Sequence, residues 1–194
     1  MQIAIIGWGS LIWCPGSLQM KSLWHRDGPT LPIEFARVSK DKRLTLVIYP
    51  GSMDQRTLWA TAVSQELEVV RANLRDREGT SLQRIHSGTT AGQFSEGVPD
   101  GVRKAVAGWL QEHREISACV WTGLTSNWGD EKGADFSVDS AIQHLKDLPE
   151  PARRRAQEYI QNAPSQIQTE VRTAISKELG WGDAELSPSL FATE

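Results

Sequence analysis

The chain has 194 residues, of which 39 % are apolar and 16 are glycine. At roughly 150 residues per domain, this length predicts one domain with room for a small appendage. The composition is sufficient for a sizeable core. The 21 basic and 24 acidic side chains leave a net charge of −3, which predicts neither nucleic acid nor an anionic membrane as a partner. Because we recognise no membrane-spanning apolar run, no signal peptide and no disulfide framework in the sequence, we expect a cytoplasmic protein.

The first part of the chain is predicted to form strands. Gln2–Gly7 is an apolar run that ends at a glycine, which is typical of a buried strand. Alternating apolar residues at 31–35 and 44–48, separated by a polar turn, predict a hairpin, and a further strand is expected at 58–63. Helical spacing then replaces alternation over residues 65–77.

The second part of the chain is predicted to be mainly helical, which favours an α+β fold over regular βαβ alternation. The predicted elements are a loop with a possible short strand at 80–99, a helix capped by Asp100, a strand at 116–124, a loop at 126–133, helices from Ser137 with a restart at Pro149 and Pro151, a last helix with a Ser165–Gln168 capping box and a stop at Gly180, and a tail. We expect a β-rich domain at 1–125 and a helical C-terminal appendage at 126–194 packed on the same domain.

A glycine-rich turn, Gly7-Trp8-Gly9-Ser10, follows the first strand. It does not fit a dinucleotide-binding loop, because Ile12 stands where the third glycine is needed and Cys14-Pro15-Gly16 interrupts any following helix. Nor is it a serine hydrolase elbow. A turn of this kind can direct several N–H groups at a carboxylate or a developing oxyanion. The alternative is a plain turn at the end of a strand.

A second feature is the position of Glu78 at the end of the predicted helix. Leu67, Val70, Leu74 and Glu78 are spaced to share one helix face, while Asp76 points the other way. Partial burial and the helix dipole would both disfavour the charged carboxylate, which is the condition for a general base near neutral pH. The alternatives are a frayed helix end with Glu78 in water, or a salt bridge to Arg75 or Arg77.

Three other features favour structural over functional interpretations. Cys14 has no histidine near it in sequence and is interpreted as a packing residue. A basic cluster on the predicted hairpin is typical of a solvated turn, although it could hold a substrate carboxylate; it consists of Arg37, Lys40, Lys42 and Arg43. The four histidines lack metal-ligand spacing, so no metal is expected.

The glycine turn and the Glu78-Gly79 helix end together resemble the γ-glutamylcyclotransferase superfamily. That family has a first strand followed by a Tyr-Gly-Ser loop, and the corresponding stretch here is Gly7-Trp8-Gly9-Ser10-Leu11-Ile12-Trp13, with Trp8 in place of the tyrosine. The family's catalytic glutamate stands at a helix end, which Arg75-Asp76-Arg77-Glu78-Gly79 resembles. The resemblance covers roughly residues 2–80.

The resemblance implies a small mixed β-barrel with flanking helices and a cofactor-independent enzyme without a metal. Gly7, Trp8, Gly9, Ser10 and Leu11 would bind a γ-glutamyl amide, and Glu78 would be the general acid/base that releases 5-oxoproline and a free amine or amino acid. A small-molecule γ-glutamyl substrate is then the expected partner. The alternative is a non-catalytic ligand-binding or protein-interaction module that keeps the pocket. The oligomeric state does not follow from the sequence.

Overall fold

The structure is a computed structural model that describes residues 1–184 and 186–193. Within these residues the chain forms seven strands and six α-helices, which confirms the predicted α+β class. The strands are β1 (Gln2–Gly7), β2 (Thr30–Val38), β3 (Leu44–Ile48), β4 (Asp54–Arg56), β5 (Leu58–Thr61), β6 (Ile85–Thr89) and β7 (Ile116–Thr122). The helices are α1 (Leu67–Glu78), α2 (Asp100–Glu112), α3 (Trp128–Lys132), α4 (Val138–Asp147), α5 (Glu150–Asn162) and α6 (Glu170–Leu179).

The strands form two sheets, a four-stranded one in the order β5-β1-β7-β6 and a three-stranded one in the order β3-β2-β4. Within the described residues neither sheet closes on itself, so the expected small mixed β-barrel is not confirmed. The chain divides into two compact units. The first unit contains residues 1–31, 56–124 and those from 187 onward, and the second contains Pro32–Gln55 and Thr125–Leu186.

The first unit is built around β1, an interior strand of the four-stranded sheet. β1 runs parallel to β7 and antiparallel to β5, and β6 pairs antiparallel with the other edge of β7. Ile3, Ile5 and Ile6 are buried, as expected for a strand covered on both faces. Both α1 and α2 pack against β6 and β7.

Trp24 joins two distant parts of this first unit. Its ring lies so close to Gly7 that a Cβ added at Gly7 would meet the ring at 3.1 Å, which explains the glycine at the end of β1. The Trp24 backbone also receives a hydrogen bond from Ala192 N (2.9 Å) and donates one to Leu190 O (3.0 Å). The predicted tail therefore pairs with the segment around Trp24.

In the second unit, α5 packs against β3, and α4 packs against α5 and α6. His144 on α4 is buried between Lys132 Nζ, which lies 2.7 Å from Nδ1, and the Lys42 carbonyl oxygen, which lies 2.8 Å from Nε2. Since an ammonium only donates and a carbonyl only accepts, Nδ1 accepts and Nε2 donates, so the ring is neutral. Burial lowers the pKa of His144 below its usual range.

Most predicted elements are present, and four details are corrected. The predicted loop at 126–133 contains the short helix α3, and the strand β4 lies in a stretch with no predicted element. Asp100 does not cap α2 but is its first residue, after Pro99. The Ser165–Gln168 capping box is wrong, because α6 begins later, where the Thr169 side chain accepts a hydrogen bond from Arg172 N at 3.1 Å.

In the part of the chain that the structure describes, no helix has both the length and the apolar character to cross a membrane.

Candidate functional site

Helix α1 presents one face to the interior of the first unit, and Glu78 lies on it. Val70 and Leu74 are buried, and the Glu78 side chain is 15 % exposed, whereas the Asp76 side chain is 61 % exposed. This difference follows the helical spacing of the sequence. The Glu78 carboxylate therefore does not extend into bulk water, in contrast to the frayed-end alternative.

The helix ends directly after Glu78. Gly79 has a φ of 58°, in the left-handed region that glycine adopts most easily. Its N–H bonds to Asp76 O at 3.2 Å and the Thr80 N–H bonds to Arg75 O at 3.3 Å, the two hydrogen bonds of a Schellman motif. The motif fixes the backbone direction at Glu78, as the Gly79 stop signal predicts.

Arg77 connects Glu78 to the turn after β1. Its Nη1 lies 2.5 Å from Glu78 Oε1, while Nη2 donates to Ser10 Oγ at 3.2 Å and to Cys14 O at 2.5 Å. The Arg77 side chain is only 11 % exposed, so solvent screens this ion pair less than an exposed one. The salt-bridge alternative for Glu78 is thus the arrangement present, with Arg77 as the partner, whereas Arg75 pairs with Asp76.

The turn itself is a short helical one. Ile12 N donates to Gly9 O at 3.0 Å, and Cys14 N donates to Ser10 O at 2.9 Å. In such a turn the first N–H groups have no partner within the turn itself, and here they belong to Ser10 and Leu11. That these two N–H groups receive an anion stays a prediction.

The predicted binding residues differ in exposure. Gly7, Trp8, Gly9 and Leu11 are buried, and Ser10 is half-buried. Trp8 is only 5 % exposed, so its ring belongs to the core. Of the five residues, Ser10 presents a side chain toward Arg77. The roles of these residues in substrate binding stay predictions.

Ser10 and Glu78 contact the same guanidinium group. The two bonds of Arg77 measure 3.2 and 2.5 Å, and the terminal nitrogens of a planar guanidinium are ~2.3 Å apart, so Ser10 Oγ and Glu78 Oε1 are separated by at most about 8 Å. That the turn and the helix end act on one substrate stays a prediction.

Two side chains connect α1 to the turn and are not indicated as site residues by the sequence. Asn73, one helical turn before Arg77, accepts a hydrogen bond from Gln19 N at 2.8 Å and donates one to Ser17 O at 3.1 Å. Asn73 and Arg77 thus hold residues 10–19 against α1. Their i, i+4 spacing, on the same side as the apolar stripe, is the signal that could have identified them.

The remaining sequence candidates lie elsewhere or have structural partners. Cys14 is exposed, so its interpretation as a packing residue is wrong. In the basic cluster of the second unit, Arg43 pairs with Asp41 at 2.8 Å and Lys42 with Glu131 at 3.0 Å. Within residues 1–184 and 186–193, no three His, Cys, Asp or Glu side chains are grouped so that they could hold a metal ion.

Comparison with known proteins identifies no relative of this chain. The chain matches no protein-family model, no curated protein and no solved structure. Any functional assignment therefore depends on the residues themselves and on the geometry of Ser10, Arg77 and Glu78.

Proposed function

We propose that the chain is a γ-glutamylcyclotransferase-like enzyme that converts a γ-glutamyl amide into 5-oxoproline and a free amine or amino acid. The observation that supports the proposal is the position of Arg77, which contacts both Glu78 and Ser10 and so links the helix end to the glycine turn. The sequence motif at each end resembles the family's pattern, with Trp8 in place of the tyrosine, and the small mixed β-barrel of that family stays part of the proposal.

The reaction needs one group that moves a proton. The substrate's α-amine attacks its own γ-carbonyl carbon, a C–N bond forms in the new lactam ring, and the original amide C–N bond breaks. Glu78 accepts the proton that the attacking amine loses and returns it to the departing nitrogen. General acid–base catalysis of this kind contributes typically 10²–10⁴-fold to a rate.

The turn after β1 supplies binding and orientation. The N–H groups of Ser10 and Leu11 would meet negative charge on the substrate, either a carboxylate or the oxyanion that develops on the γ-carbonyl oxygen. Because amine and carbonyl belong to the same molecule, holding them in contact contributes several kcal/mol to lowering the barrier.

Arg77 links binding to catalysis in this proposal. The substrate's α-carboxylate is a second anion that its guanidinium can hold, and a carboxylate is the group that the planar fork matches best. When the substrate carboxylate engages Arg77, Glu78 is released from its closed ion pair and can accept a proton. The substrate would thus prepare its own base.

The test is production of 5-oxoproline from a panel of γ-glutamyl amides and peptides, measured by mass spectrometry. The wild-type chain is compared with Glu78→Gln and with Asp76→Asn, which removes a carboxylate from the outward side of the same helix end. We expect product from at least one substrate, a 10²–10⁴-fold lower turnover in Glu78→Gln, and wild-type turnover in Asp76→Asn. A fully active Glu78→Gln variant would exclude Glu78 as the base.

The closed Arg77–Glu78 pair also supports a second candidate, a non-catalytic module that binds a γ-glutamyl compound or a protein. In that case the pair is a structural link and no base is needed. The same panel separates the two functions. Absence of 5-oxoproline with every substrate, together with saturable binding of one of them by calorimetry, would favour the module.

A further inference from the structure

A lysine and a histidine of the second unit form a close pair outside the site described above. Lys132, the last residue of α3, places its Nζ 2.7 Å from Nδ1 of His144 on α4. Lys132 is exposed, whereas His144 is only 7 % exposed. The lysine amine is therefore accessible to a small molecule in solution, and the imidazole beside it is largely shielded from water.

The imidazole of His144 is fixed in one orientation. Its Nε2 donates to the Lys42 carbonyl oxygen at 2.8 Å, and its ring packs edge to face with the Trp128 ring, with centroids 5.9 Å apart. Because Nε2 is the donor, the lone pair of Nδ1 faces Lys132. Burial lowers the pKa of His144, so Nδ1 is unprotonated at neutral pH and can act as a base.

These three groups have the arrangement of an activated nucleophile. Such a site has a nucleophile within hydrogen-bond reach of a base, and a third group that orients the base. Lys132 Nζ is the nucleophile here, His144 Nδ1 is the base, and the Lys42 carbonyl oxygen is the orienting group. The carbonyl also stabilises the positive charge that the ring gains when Nδ1 takes up a proton.

A second lysine of the same unit has a different kind of partner. Lys146 Nζ lies 2.7 Å from Glu178 Oε2, and its side chain is 43 % exposed. A carboxylate attracts an ammonium group by a full negative charge, whereas the imidazole of His144 is neutral. Lys146 is therefore the matched control for Lys132, because it is a partly exposed lysine without a base beside its amine.

We propose that Lys132 forms a Schiff base with a small aldehyde and that His144 carries the protons of this reaction. The amine nitrogen attacks the carbonyl carbon, a C–N bond forms and the C–O bonds break. The two protons of the neutral amine leave with the carbonyl oxygen as water. His144 Nδ1 takes each proton from the nitrogen and passes it to that oxygen.

This reaction is separate from the proposed cyclotransferase activity. Lys132, His144 and the Lys42 carbonyl belong to the second unit, whereas Ser10 and the Arg77–Glu78 pair belong to the first. An aldehyde adduct at Lys132 therefore requires none of the residues assigned to the γ-glutamyl site.

The experiment incubates the full chain at neutral pH with benzaldehyde and cyanoborohydride, which reduces the imine to a stable secondary amine. An aromatic aldehyde is chosen because Lys132 Nζ lies 5.7 Å from the centroid of the Trp128 ring, which itself packs against Phe136. Peptide mass spectrometry then gives the rate of modification of each lysine. We expect Lys132 to react about tenfold or more faster than Lys146.

Variants assign the reaction to the pair. His144→Gln removes the base and should lower the ratio of the Lys132 rate to the Lys146 rate about tenfold or more. Gln143→Ala, at the exposed neighbouring position of α4, should change the ratio less than about twofold. Lys132→Arg keeps a donor for His144 and should abolish the fast modification without changing the rate at Lys146. Circular dichroism checks that each variant is folded.

Two results would overturn the proposal. Equal rates at Lys132 and Lys146 in the wild-type chain would show that the lysine amine is not activated. An unchanged ratio in a folded His144→Gln variant would exclude His144 as the proton carrier. If His144→Gln does not fold, Lys132→Arg decides, because a fast-reacting lysine that persists in that variant would place the reaction elsewhere.

Discussion

Removing either partner of the Arg77–Glu78 pair is expected to lower the free energy of unfolding, by an amount that depends on how deeply the pair is buried. The two side chains are 11 % and 15 % exposed, between a fully buried pair, for which loss of one partner costs ~3–5 kcal/mol, and an exposed pair, for which it costs ~0–1 kcal/mol. Glu78→Gln keeps an oxygen acceptor for Arg77 and loses only the charge. We therefore expect it to lower the free energy of unfolding by about 1–2 kcal/mol.

Arg77→Met is expected to cost more. It leaves Glu78 without its cation and also removes the donors to Ser10 Oγ and Cys14 O, each of which contributes about 1 kcal/mol. The total loss is then about 3–4 kcal/mol, or a fall in Tm of roughly 6–16 °C for a chain of this size. The double variant should cost less than the sum of the single ones, with a coupling of about 1 kcal/mol or more.

Urea unfolding of the wild type, the two single variants and the double variant measures this coupling. Asp76→Asn provides the control, because Asp76 is largely exposed and its loss should change stability by less than about 0.5 kcal/mol. Additive effects of the two single variants would refute the close, partly buried ion pair. A fall in 5-oxoproline production without a fall in stability would identify a catalytic effect that the structural link alone does not explain.

Three further predictions concern packing, pH and thiol reactivity. Gly7→Ala should destabilise the chain by about 1–3 kcal/mol in urea unfolding, because the added methyl meets the Trp24 ring, and unchanged stability would show that the ring moves aside easily. Burial lowers the pKa of His144 in the folded state. The stability that neutral His144 contributes is therefore complete above its unfolded pKa of ~6.5 and is lost as pH falls through the lower folded value. A pH series of Tm should show this loss, and His144→Gln should make the loss smaller. A thiol reagent should modify the exposed Cys14 in the folded protein and Cys119 only after unfolding, because Cys119 is fully buried and burial raises its pKa far above the usual range; two equally fast reactions would contradict this.

The sequence predicts those parts of the fold that local patterns determine. Gln2–Gly7 forms a strand with the predicted bounds, and the hairpin at β2 and β3 is antiparallel as the alternation indicates. The end of α1 is predicted by Gly79 alone, because the left-handed turn there favours glycine. Such features depend on a few neighbouring residues, and periodicity or a stop signal is enough to locate them.

Features that depend on tertiary contacts were not predictable in the same way. The capping box at Ser165 predicts too early a start for α6. Gln168 N bonds to the distant Gln55 side chain at 2.7 Å and Gln168 Nε2 bonds to Ser165 O at 2.6 Å, so the helix begins after them. Within the candidate site, spacing placed Glu78 on the inward face, but only the three-dimensional structure shows Arg77 bound to Ser10. These two residues are separated by 67 positions, and no local pattern relates them.

The parallel pairing of β1 with β7 has a consequence for synthesis of the protein. Ile5 pairs with Val120, so this interior strand is synthesised more than a hundred residues before its parallel partner. In the second unit, too, residues 32–55 pack with a segment that begins only at Thr125. Contacts of such long sequence separation slow folding, and the nascent chain exposes apolar β1 during that interval. Molecular chaperones that hold exposed apolar segments should therefore associate with ribosome-bound chains that end before residue 122 and dissociate soon after β7 emerges.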